Sequence, residues 1–273
     1  MKYSLLLEGR FEEYFAAAHA GRPLWMFVHV PKTGGSSMNG ELMPVYGPSK
    51  HIFIDYFEEG RSYHDQINEA VDKFLALTEE KRFRFCTGHL LAPQVAKIIH
   101  SLPDVRPFTM LREPVSRVVS DYRYQRSDMH PGNAAFRAQF PTLESYVGQP
   151  GEANKFALHL LPDALREAGD TQACVDYLTE TFCFIGFQEM FGLSLHTLTW
   201  FAKKPRFSTV RRRVSDPEAN NEVPLTFDTQ EAIRQTNKLD IAIYENLSAR
   251  FFAISDALTV YLNAAAPRAE PAV

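Results

Sequence analysis

Short apolar runs punctuate the chain at residues 25–30, 83–89, 107–112 and 182–187, and each halts at a proline or at polar or charged side chains. Their length and near-continuous hydrophobicity predict strands buried on both faces. The first halts at Pro31, a residue that central strands do not tolerate. Between the runs the apolar positions recur with helical period. Ile67, Val71, Phe74, Leu75 and Leu77 mark a helix over 62–81, and Pro93 sits in the first turn of another over 91–100. Val115, Val118, Val119 and Tyr122 form one stripe over 114–125. Helices are further predicted at 11–19, 152–161, 170–181, 189–202 and, whole or broken in two, 228–264. Residues 51–56 read as a short strand or extended loop, and 126–152 as loop with short helical pieces. The 203–227 segment is basic and turn-rich, and 265–273 reads as a disordered tail. Strands alternating with helices predict an α/β fold with a central parallel sheet flanked by helices on both faces. Ligands of such sheets sit at the carboxyl ends of the strands, so the loops after Val30, Thr87 and Leu111 should share one crevice. No repeat or linker divides the chain, so residues 1–264 are expected to act as one domain.

Composition narrows the partners. With 273 residues the chain has room for one large α/β domain. A net charge of −4 and a pI near 6.1 argue against a general polyanion binder, so nucleic acid is not an expected partner. Cys86, Cys174 and Cys183 are odd in number and widely spaced, which suits a reducing compartment. The first ten residues match neither a signal peptide nor a membrane span, and a cytoplasmic location is expected.

The stretch from His29 to Ser37 (His-Val-Pro-Lys-Thr-Gly-Gly-Ser-Ser) carries the first chemistry. A buried strand that ends in Lys32, Thr33, Gly34, Gly35, Ser36 and Ser37 and then opens a helix is an anion cradle. Glycines let the backbone approach, the first helical N–H groups face the anion, and Lys32 adds a full charge. In the nucleotide-kinase loop lysine follows the glycines, whereas here it precedes them, so this is not a Walker A. The second motif is Arg112-Glu-Pro-Val-Ser-Arg117-Val-Val-Ser120-Asp-Tyr122. Arg112 stands at a strand end and Ser120 two turns into the next helix. Arg117, Ser120 and Tyr124 share one face by period, and a guanidinium with a hydroxyl can grip one phosphate.

These two motifs resemble those of sulfotransferases that use 3′-phosphoadenosine-5′-phosphosulfate (PAPS), most closely the glycan O-sulfotransferases of the heparan 2-O and 6-O kind and their bacterial relatives. The resemblance implies a P-loop-like domain in which residues 32–37 hold the 5′-phosphosulfate and Arg112 with Ser120 holds the 3′-phosphate. Weaker matches at 154–160, 185–190 and 237–245 extend it over residues 25–252. It implies transfer of a sulfuryl group from PAPS, with no metal, to a hydroxyl on a glycan or glycoconjugate. The heparan 2-O enzymes carry His-Gly-His at the second strand end; here the same place reads Thr87-Gly88-His89.

Sulfuryl transfer needs a base for the acceptor hydroxyl. His89 is the first candidate, with an ordinary pKa close to working pH, and Asp55 is the second. His29 and Cys86 read as structural. Arg126, His130, Arg137 and Asn154 are acceptor-side candidates, and Arg211, Arg212 and Arg213 form either a solvated face or a flap over the nucleotide. Two other functions fit the motifs less well: a kinase, and a nucleotide-binding protein without catalysis.

Overall fold

The computed structural model describes residues 1–55, 58, 60–130, 132–206 and 223–264. Five strands, β1 (Leu24–Val28), β2 (Ser49–His51), β3 (Phe85–Gly88), β4 (Val105–Leu111) and β5 (Phe184–Phe187), form one sheet in the order β2-β3-β1-β4-β5. Every neighbouring pair is parallel. Helices α1 (Tyr3–Leu7) and α2 (Phe11–His19) lead into β1, and α3 (Gly35–Leu42) follows it. Helix α4 (Tyr63–Glu80) joins β2 to β3, and α5 (Ala92–Ser101) joins β3 to β4. Six helices separate β4 from β5: α6 (Pro114–Arg126), α7 (Asn133–Gln139), α8 (Leu143–Val147), α9 (Lys155–Leu160), α10 (Asp163–Ala168) and α11 (Thr171–Thr181). After β5 come α12 (Phe191–Phe201), α13 (Phe227–Thr236) and α14 (Lys238–Ala264).

The α/β reading from the hydrophobic pattern is thus met. All five residues of β1 and all four of β3 and β5 are buried. Parallel crossovers are right-handed, so a connection that moves one way across the sheet puts its helix on one face, and the reverse move uses the other. From β1 the chain moves toward β2, whereas from β4 it moves toward β5. Helix α4 packs on α5, while α3 packs on α12, which also touches β5 and α2. The direction of travel reverses between β1 and β4, and the crevice outside their carboxyl ends is where such sheets bind ligands.

Three local expectations are corrected. Strand β1 ends at Val28, two residues before the apolar run does. Strand β4 starts at Val105 and carries Pro107 inside a central strand. The carbonyl of Pro107 accepts the Cys183 amide at 2.8 Å, so its missing N–H faces β5 below the first paired residues, Phe108 and Phe184. No ladder bond is lost there. Helices α1 and α10 were not foreseen, being too short for a period to register. Tyr3 in α1 and Tyr14 in α2 donate from their hydroxyls to the carbonyls of Ile185 and Cys183, at 2.7 and 2.5 Å, which fastens the N-terminal helices to the β5 region.

The main core lines both faces of the sheet. The valine stripe of α6 instead joins a second, smaller core with Phe136, Leu143, Tyr146, Val147 and Ile233. Helix α6 is therefore clamped by α7, α8 and α13, with α14 also packed against it. Residues 211–213 and 265–273 lie outside the described residues. Among the described residues no helix is long and apolar enough to cross a membrane.

Candidate active site

The loop after β1 turns into α3 through two left-handed residues, Lys32 at φ 68° and Gly34 at φ 84°. Gly34 is the N-cap of α3 and takes that conformation without the penalty a Cβ brings. A Cβ on Gly35 would fall 2.1 Å from ring atoms of His29, so the imidazole packs directly beneath the loop. Thr33 is buried and its Oγ1 donates to the Val30 carbonyl at 2.9 Å. Its hydroxyl therefore braces the loop, and a ligand would meet backbone at this residue. Residues 35–37 open α3, and at a helix start the first amides point out of the helix, toward whatever lies beyond its end. Ser36 is exposed and Ser37 half-buried.

The β4 end approaches this loop. Arg112 donates from Nη1 to the Lys32 carbonyl at 3.3 Å, and its Nε is buried without a hydrogen-bond partner. Burial pulls the guanidinium below its ordinary pKa; Glu189 and Glu113 oppose this, and Arg117 and Arg123 add to it. Glu113 caps α6, accepting the amides of Val115 and Ser116 at 3.0 and 2.7 Å. The first amides of α6 are thus occupied by a carboxylate. Of the two motif residues expected at this end, Arg112 is tied to the Lys32 carbonyl and Ser120 is half-buried on α6. The ammonium of Lys32 lies over the Tyr124 ring, 3.8 Å from its centroid.

Arg117, one turn before Ser120 on α6, faces a buried charge cluster. It is wholly buried and donates from Nη2 to the Glu152 carbonyl at 3.0 Å. Around it lie Asp121, which accepts the Tyr146 hydroxyl at 2.7 Å, and Lys155, which donates to Glu152 at 2.7 Å. Burial, and then Asp121, push the Glu152 carboxyl up. Burial also disfavours the Asp121 charge, but Arg117 and hydrogen bonds from Glu152 and Tyr146 outweigh it and hold that carboxyl low.

His89 follows β3 directly. Its Nδ1 lies 2.7 Å from the His29 carbonyl, and its ring stands 4.3 Å from the His29 ring. A carbonyl only accepts, so Nδ1 carries the proton and Nε2 presents the basic lone pair. Tyr63 donates its hydroxyl to the His89 carbonyl. Burial lowers the His89 pKa, which corrects the expectation of an ordinary value; the His29 carbonyl partly offsets the shift. His29 is lowered well below the usual range, chiefly by burial and then by His89. His159, on α9, donates from Nδ1 to the Leu90 carbonyl at 2.8 Å and is pulled down to about 3, first by burial. Sequence alone assigned it no role; its one signal was a histidine on an apolar helical face.

The loops after β1, β3 and β4 are thus brought together by two bonds, His89 to His29 and Arg112 to Lys32. Asp55 is exposed and lines a groove with Lys50, Arg61 and Lys73 beside the β2 edge and α4. Three acceptor-side candidates serve the scaffold. Asn154 accepts the amides of Leu239 and Asp240 through Oδ1, at 3.1 and 3.2 Å. Arg126 donates to the Tyr122 hydroxyl and the Pro141 carbonyl at 2.5 and 2.8 Å, and Arg137 to the Arg126 carbonyl at 2.6 Å. His130 remains beside the crevice, edge-on to Tyr124 at 5.5 Å. Cys86 is buried in β3, and burial pushes its thiol well up. No cluster of three or more His, Cys, Asp or Glu side chains fit to hold a metal ion occurs among the described residues.

No protein-family model matches the chain, and no curated protein does. Among solved structures, the chain is similar to a sulfotransferase from Alicyclobacillus acidocaldarius, at 18% identity and a TM-score of 0.48, over 87% of this chain and 100% of that one. It is also similar to the mouse sulfotransferase SULT7A1 complexed with PAP, at 15% identity and a TM-score of 0.36, over 92% of this chain and 94% of that one. At these scores neither assigns a family or an activity to this chain.

Proposed function

We propose that residues 1–264 form a PAPS-dependent O-sulfotransferase that transfers a sulfuryl group to a hydroxyl of a glycan or glycoconjugate. The observation that carries this reading is the meeting of three strand ends: the Lys32 loop, Arg112 bonded to its carbonyl, and His89 with its proton fixed on Nδ1. PAPS fits these residues. The loop offers amides and a cation at one point, while Arg112 offers a buried, unpartnered Nε at another, matching a nucleotide with two separate anionic groups. When bound, PAPS supplies a sulfuryl group already activated by a phosphate leaving group.

In this reading Lys32 and the amides of residues 33–37 hold the 5′-phosphosulfate, and Lys32 balances charge growing on the leaving oxygen. Arg112 and Ser120 hold the 3′-phosphate. His89 takes the acceptor proton on Nε2 as the new oxygen–sulfur bond forms, and its lowered pKa keeps it neutral and ready at neutral pH. Three free, buried cysteines accord with a reducing, cytoplasmic setting.

The decisive experiment has two arms. Calorimetry with 3′-phosphoadenosine-5′-phosphate (PAP) and with ATP-Mg separates a sulfotransferase from a kinase. A screen of glycan, lipid and phenol acceptors with labelled PAPS, read by mass spectrometry, identifies the sulfated product. Tight PAP binding with glycan sulfation is expected. Preference for ATP-Mg, or PAP binding with no transfer to any hydroxyl, would overturn the proposal.

A further inference from the structure

We infer that Tyr124 is a positioning residue for Lys32, its ring serving as the platform that holds the lysine ammonium at the anion loop; this rests on the sulfuryl-transfer reading above. The Nζ of Lys32 lies 3.8 Å from the Tyr124 ring centroid, well inside the ~6 Å reach of a cation–π contact. Lys32 is gripped at both ends. Arg112 donates to its carbonyl at 3.3 Å, and its backbone is left-handed, at φ 68°. The loop and the β4–α6 unit are therefore joined through a single residue, at its main chain by Arg112 and at its charge by Tyr124.

Tyr124 is placed for this role by the helix and not by the core. It follows Ser120 by four residues, so the two stack on one side of α6, while Tyr122 turns into the second core. Tyr124 is half-buried, and His130 meets its ring edge-on, with 79° between the planes. The ring thus has a second aromatic neighbour besides the cation it meets. A lysine has four rotatable bonds, and fixing its charge where the leaving oxygen develops removes reorganisation from the reaction. The residue acts only through Lys32 and through its aromatic face, so its hydroxyl is dispensable.

The test uses the full chain with PAP and PAPS as probes. Lysines are reductively ¹³C-methylated, and the Lys32 signal is assigned with Lys32→Arg. Its methyls should be shifted upfield by the ring in the wild type and in Tyr124→Phe, and not in Tyr124→Leu. Loss of sulfate from labelled PAPS to water in single turnover should slow by about tenfold in Tyr124→Leu, the size of a cation–π contact midway between exposed and desolvated. Tyr124→Phe should keep the wild-type rate, and PAP affinity should change by less than about threefold in both. In a Lys32→Ala background, Tyr124→Leu should cost nothing further. Additive losses, a Tyr124→Phe variant as slow as Tyr124→Leu, or a Lys32 signal without a ring shift would each overturn the inference. A wild type that neither binds PAP nor consumes PAPS would instead remove the functional reading, and the ring shift alone would then decide the contact.

Discussion

His89 donates a hydrogen bond from Nδ1 to the main-chain carbonyl of His29, 2.7 Å away, and so carries its basic lone pair on Nε2. The donor bond ties the end of β3 to the end of β1, the strand that feeds the anion loop. Burial lowers the His89 pKa, so it gains a proton only below the ordinary histidine value of about 6.5. Turnover should therefore rise with pH through one ionisation below 6.5 and be flat through neutrality. His89→Ala should lose about 10²–10⁴ in turnover, keep PAP affinity and lack that ionisation. An active His89→Ala with an unchanged profile, beside a dead Asp55→Asn, would make Asp55 the base.

Lys32→Ala should lower turnover by about 10²–10³ while weakening PAP binding far less, because the charge it meets grows only as the phosphate leaves. Rates from single turnovers and affinities from calorimetry separate the two effects. Near-normal turnover would move the reacting phosphate away from this loop.

Arg112→Ala should act the other way, on binding. A charge-assisted contact is worth about 1.5–3 kcal/mol. Affinity should fall for PAP but little for the same nucleotide without its 3′-phosphate. Undiminished discrimination between the two would exclude Arg112 from the 3′-phosphate site.

Gly35→Ala should disable the loop without touching any charged group. Its Cβ would lie 2.1 Å from the His29 ring, which is buried and packed on Phe27 and His89 and has no room to retreat. Loss of PAP binding is expected, together with a lowered Tm. A variant with normal affinity would show that the loop amides are not the anion's ligands.

His159 supplies a stability prediction with a definite sign. Its folded pKa is pulled down to about 3, whereas the unfolded chain binds the proton near 6.5. The stability of its neutral form is complete above about 6.5 and is lost as pH falls from there toward 3, at about 1.4 kcal/mol per unit. Asp240, buried and pushed up to about 6, works against this trend between about 4 and 6. A difference measurement cancels it. The stability gap between wild type and His159→Asn, from denaturant unfolding, should narrow steadily below pH 6.5. Parallel pH curves would show that His159 titrates normally.

Much of the fold was legible in local chemistry. The runs at 25–30 and 182–187 announce strands, realised as Leu24–Val28 and Phe184–Phe187, and Gly34 and Gly35 mark the loop because no other residue fits a left-handed cap above a histidine ring. The order of Lys32 before the glycines, which departs from the nucleotide-kinase pattern, is likewise a property of the chain alone. What sequence could not supply was the surroundings that distant segments create. Pro107 sits in a central strand because β5 begins one residue later in register, a fact of pairing and not of local pattern. Asn154 looks like an exposed polar residue along the chain, yet the start of α14, some 85 residues away, makes it scaffold. The same long-range packing buries His89 and fixes its proton, and it sets Tyr124 against Lys32. Residue types and their spacing are carried by the chain itself, whereas solvent exclusion and contact between remote groups exist only once the sheet has closed.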